Sequence, residues 1–107
     1  MKVELLYFEG CPNWREAEDR LRQALRQLGL PESALTLQGL QTPEDAERLS
    51  FRGSPTILVN GVDPFADPAA PVGLACRIYQ TPTGGAGTPT LSQLTEVLAD
   101  AMSSVCR

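Results

Sequence analysis

The side chains best suited to nucleophilic or redox chemistry in this sequence are three cysteines, Cys11, Cys76 and Cys106, and there is no histidine. The missing imidazole removes Ser-His-Asp and Cys-His catalysis, along with every zinc site that needs a histidine ligand. An odd number of cysteines, behind an N-terminal MKVELLYF that does not read as an export signal, points to free thiols or redox chemistry, not a disulfide scaffold. Any one of them is also acceptable as a small buried hydrophobe. Cys11 is the strongest candidate, because it stands between an apolar segment and a helical pattern that opens at Pro12. A free thiol (pKa ~8.5) is mostly protonated at neutral pH, and only the thiolate is a good nucleophile. Unpaired N–H groups and the partial positive charge of a helix N-terminus favour the anion. Pro12 removes one donor and leaves those of Asn13 and Trp14; Arg15 adds positive potential and Glu9 opposes it. The expected net effect is a more acidic Cys11.

The elements that must position this thiol follow from periodicity. Val3–Phe8 reads as a buried strand. In the next segment Trp14, Ala17, Leu21, Ala24, Leu25 and Leu28 recur at spacings of three and four. They share one face of a helix that Pro12 opens and Gly29 and Pro31 close. Glu16 with Arg20, and Glu18 with Arg22, are acid-first i,i+4 pairs on the other side. Ala34–Gln38 is a second strand. Thr42 and Pro43 cap a short helix to about Ser50, with Glu44 and Asp45 in its first turn. Thr56–Asn60 is a third strand ending in the turn Asn60-Gly61. A proline-bearing loop covers residues 62–72, Leu74–Tyr79 reads as a fourth strand, and Gln80–Pro89 is a glycine-rich connection. A last helix starts near Thr90, where Thr90 and Gln93 have capping-box spacing, with Leu91, Leu94, Val97, Leu98, Ala101 and Val105 on its apolar face. The order β-α-β-α-β-β-α predicts one α/β domain over residues 1–107. Its four-stranded mixed sheet has a parallel first pair, a closing antiparallel hairpin and flanking helices.

A strand running into Cys11-Pro12 at a helix start, and Gly53-Ser54-Pro55-Thr56 leading into the third strand, occur together in this element order. On those features nearly the whole chain resembles the thioredoxin superfamily. More narrowly it is similar to small bacterial thioredoxin-like proteins, some of which carry selenocysteine at the reactive position. The resemblance implies that Cys11 is the reactive residue and that Ser54-Pro55 is cis and lies against it. It also implies that the backbone of Ser54 is open to an extended substrate segment. The chain departs from the superfamily's C-x-x-C motif, since it reads Cys11-Pro12-Asn13-Trp14, and Trp14 is no resolving thiol. Trp14 is expected to pack on the core face of its helix with part of the ring lining the site.

That departure leaves one-cysteine chemistry, or resolution by a cysteine elsewhere. Cys76 is the candidate, but a simple hairpin of Thr56–Asn60 with Leu74–Tyr79 puts it ~10 Å along the strand from Cys11. Pairing then requires an irregular fourth strand or a mobile loop between Gly61 and Gly73, because a disulfide holds Cα atoms about 4.4–6.8 Å apart. Arg77 is either a stabiliser of a Cys76 thiolate or a solvated strand residue, and Cys106 an incidental thiol near the end of the last helix. The expected function is thiol-dependent oxidoreduction: Cys11 acts on a disulfide or peroxide, and Cys76 or an external thiol resolves the product. The alternative is a non-catalytic thioredoxin-like module that binds a peptide or a thiophilic metal. No cofactor or resident metal is expected, and partners are protein or small-molecule thiols and disulfides. Nine basic against 13 acidic residues, net charge −4, disfavour nucleic acid. Apolar runs of about five residues are far short of a membrane span, so a cytoplasmic protein is expected.

Overall fold

Alternation along the first and third strands builds a sheet with two different faces. The computed structural model describes residues 1–49, 51–66 and 72–105. β1 (Val3–Tyr7) lies between β2 (Leu35–Gly39), to which it is parallel, and β3 (Thr56–Val59), to which it is antiparallel. Val3 pairs with Leu35 on one side and with Val59 on the other. Successive side chains of a strand point to opposite faces. Val3, Leu5, Ile57 and Val59 therefore join one cluster, and Leu6 joins another with Leu58 packed on it.

The first face is covered by α1 (Asn13–Gln27) and α3 (Leu91–Val105), through Ala17, Leu21, Ala24 and Leu25 of one and Leu94 and Leu98 of the other. The second face carries a smaller cluster of Leu6, Leu40, Phe51 and Ala46, the last from α2 (Pro43–Arg48). α1 is held as its sequence predicts. Arg20 binds Glu16 at 2.6 Å and Arg22 binds Glu18 at 2.9 Å. At its end Gly29 takes φ +73°, and the N–H groups of Gly29 and Leu30 donate to Arg26 and Leu25, a Schellman stop. Pro12, however, is the cap of α1 and not its first turn. The Thr42 hydroxyl caps α2 by accepting from the Asp45 N–H. Thr90 and Gln93 form the reciprocal capping box at the start of α3. Ser50, Cys106 and the side chain of Val105 lie outside the described residues.

The expected four-stranded sheet is corrected to three strands. The Asn60-Gly61 turn forms, with both residues at positive φ, but the returning chain pairs with β3 only through Val59 and Val62. Pro64 has no N–H to extend that ladder, and the Asp63 carboxylate accepts from the Phe65 N–H to turn the chain away. When the chain returns, residues 74–77 run parallel to the loop before β3 and touch it at one bridge, Ser54 with Cys76. The regular pairing comes later, where β4 (Tyr79–Thr81) and β5 (Gly84–Ala86) make a separate two-stranded hairpin. Its exit loop lies on the start of α1: a Cβ at Gly87 would fall 2.3 Å from the Asn13 amide nitrogen, and Arg20 donates to the Pro89 carbonyl at 2.7 Å.

Candidate redox site

β1 leads through Phe8, Glu9 and Gly10 to Cys11, whose N–H closes a turn onto the Phe8 carbonyl at 3.2 Å. Cys11 is 0% exposed. Its sulfur is bonded to that of Cys76, with the two Cα atoms 5.7 Å apart and 65 residues of separation along the chain. The hairpin register that held Cys76 about 10 Å away is thus replaced by the irregular course of residues 74–77. The closure comes from the fold, not from the Cys11 motif.

Ser54 organises the junction. It is fully buried, and its peptide bond to Pro55 is cis. Its N–H donates to the Ala75 carbonyl at 2.7 Å, and its carbonyl accepts from the Arg77 N–H at 2.9 Å. The backbone that the resemblance leaves open for an extended partner is therefore taken by this chain's own segment, with Cys76 between the two bonded residues. The Ser54 hydroxyl accepts from the Phe8 N–H at 3.3 Å, and the Ser54 carbonyl oxygen lies 3.6 Å from the Cys11 sulfur. The Pro55 carbonyl accepts from the buried phenol of Tyr79. Loss of hydration on burial pushes that phenol well above its ordinary range, so it remains a donor.

The segment bearing Cys76 alternates in exposure: Cys76 and Ile78 are exposed, Arg77 and Tyr79 buried. Arg77 is neither of the residues expected from the sequence. Its guanidinium pairs with Asp63 at 2.7 Å, donates to the Phe65 carbonyl and lies 4.6 Å from the centre of the Tyr79 ring. It clasps the segment to the loop after β3 instead of facing a thiolate. No local signal in the sequence marks that role, because Asp63 is 14 positions away in a proline-bearing loop. Gly53, at φ +116°, lets the backbones meet; a Cβ there would sit 2.8 Å from that of Arg77.

Trp14 departs from the expected core packing. It is half-buried and stacks on Tyr7, ring centroids 4.0 Å apart at 19°, with the Arg15 guanidinium 4.9 Å from its own ring centre. Of the expected site residues, Cys11, Ser54 and Cys76 meet at one point and Pro55 adjoins it, while Trp14 is tied to β1. Among the described residues no helix is long and apolar enough to cross a membrane. Comparison of the chain with protein-family models, curated sequences and solved structures finds no match in any of the three.

Proposed function

We propose that this chain is a thioredoxin-like thiol–disulfide oxidoreductase whose redox centre is the Cys11–Cys76 pair. The observation that carries the reading is the bond itself. It joins a cysteine at a strand–helix junction to one beside the backbone of Ser54, in the absence of a second cysteine in the Cys11 motif. In the reducing direction, one thiolate of the dithiol attacks a substrate disulfide RSSR′ and releases R′S⁻. The partner sulfur then attacks the mixed disulfide, releases RS⁻ and closes Cys11–Cys76. Two electrons and two protons pass from the chain to the substrate. No metal or organic cofactor enters that balance, and the partners are protein or small-molecule disulfides.

The burial of Cys11 favours a second reading, a cross-link that only stabilises a binding module. The two separate in a single-turnover experiment with the reduced, folded protein and oxidised glutathione. The oxidoreductase reading expects two equivalents of glutathione released per Cys11–Cys76 bond formed, within minutes. A native dithiol that exchanges no faster than the protein unfolds would leave the cross-link reading.

A further inference from the structure

We infer that Cys76, and not the cysteine at the strand–helix junction, is the sulfur that exchanges with the outside, and that Cys11 is the internal resolving thiol. The inference rests on the oxidoreductase reading and assigns the order of its steps.

Exchange is a displacement at sulfur, with the attacking thiolate approaching in line with the bond that breaks. Attack on Cys11 would have to come through the protein, since that residue is 0% exposed. Cys76 is exposed and lines an open groove of about 560 Å³ with Arg52, Phe65 and Ile78 among its walls. A thiolate RS⁻ arriving there bonds to the Cys76 sulfur, the Cys11–Cys76 bond breaks, and its electron pair leaves on Cys11. In the opposite direction the Cys76 thiolate attacks RSSR′ and releases R′S⁻. Cys11 then displaces RS⁻ from Cys76, and the buried bond is restored.

The cover over Cys11 does not depend on that bond. Residues 73–77 are also held by the Gly73 N–H on the Phe51 carbonyl at 3.0 Å, by both backbone bonds to Ser54, and by the Arg77–Asp63 pair. Arg77 is 7% exposed, so its pairing is shielded from water and salt. Reduction therefore leaves the segment in place, with Cys76 outward and Cys11 beneath it. Arg77 is a positioning residue in this scheme, acting through the segment it clasps.

The test uses full-length single-thiol proteins in a Cys106→Ser background, one with Cys11→Ser and one with Cys76→Ser, each checked for a cooperative urea transition. Their rates of mixed-disulfide formation with oxidised glutathione are compared under native conditions and in urea. The protein retaining Cys76 is expected to react at least about a hundredfold faster when folded, with the difference collapsing to within a few-fold on unfolding. Adding Arg77→Ala to the protein retaining Cys11 is expected to raise its folded-state rate severalfold while leaving that rate independent of urea below the transition; a role in stability alone would raise the rate only through unfolding, with a steep dependence on urea. In the wild type, limiting reduced glutathione followed by acid quenching and peptide mapping is expected to place the adduct on Cys76. Equal or faster reaction at Cys11 in the folded state would overturn the assigned order while leaving the oxidoreductase reading standing. No reaction at either thiol until the protein unfolds would overturn both.

Discussion

Reducing the Cys11–Cys76 bond, with no change of sequence, is expected to cost the fold about 4 kcal/mol. The magnitude follows from the separation of 65 residues that the bond closes. Cross-linking a loop of that length removes roughly 15 cal/mol/K from the unfolded ensemble, or about 4 kcal/mol at 25 °C. The native state changes far less, because the segment carrying Cys76 keeps its bonds to Ser54, Phe51 and Asp63. For a domain of this size that loss lowers the melting temperature by about 15–20 °C. The assay is urea unfolding of the oxidised protein and of the same protein held reduced by a phosphine. The fluorescence of the single tryptophan, Trp14, stacked on Tyr7, reports the transition. The reduced protein should also show a larger m-value, since its unfolded chain is free to expand. A difference under about 1 kcal/mol with an unchanged m-value would refute the argument that the bond acts on the unfolded chain.

Other expectations follow from single sites. Gly53→Ala should destabilise the protein by about 1–3 kcal/mol and loosen the contact with residues 75–77, because it places a Cβ at φ +116° and 2.8 Å from the Arg77 Cβ; urea titration and alkylation of Cys11 in the reduced protein measure the two effects. Leu21→Ala, in the middle of the face that α1 buries against the sheet, should cost about 2–5 kcal/mol by the same titration. The Asp45 carboxyl is held below its ordinary value by hydrogen bonds from the Arg48 side chain and from the Gln41 N–H. Its stabilising effect is therefore full above the unfolded value near 3.8 and is lost as pH falls through the lower folded one. Asp45→Asn should be less stable than the wild type at pH 7, and the gap should narrow in melts taken progressively below pH 4.

Elements with a local signature were legible in the sequence. The spacing of Ala17, Leu21, Ala24 and Leu25 in α1, the cap at Thr42, the reciprocal Thr90–Gln93 pair and the Asn60-Gly61 turn all formed as read. Cys11, Cys76, Ser54 and Pro55 were also identifiable, and the structure brings them to one place. The route by which Cys76 arrives was not legible. An apolar run such as Leu74–Tyr79 fits a regular fourth strand as well as an extended segment paired at one residue. The choice between them is made by Pro64, the Arg77–Asp63 pair and the positive φ of Gly53, which act across the chain. Trp14 fitted the helical period of the core, yet Tyr7 at the end of β1 offers it a flat ring to stack on.

Whether the Cys11–Cys76 bond exchanges while the protein is folded decides between a redox centre and a structural cross-link. Native oxidised protein can be followed over a series of dithiothreitol concentrations, with timed alkylation and peptide mapping of Cys11 and Cys76. For a redox centre the reduction rate is expected to be proportional to dithiothreitol and unchanged by urea below the unfolding transition. A rate that reaches a plateau equal to the independently measured unfolding rate, and rises with urea, would show a bond that opens only when the protein does, and would contradict a redox centre.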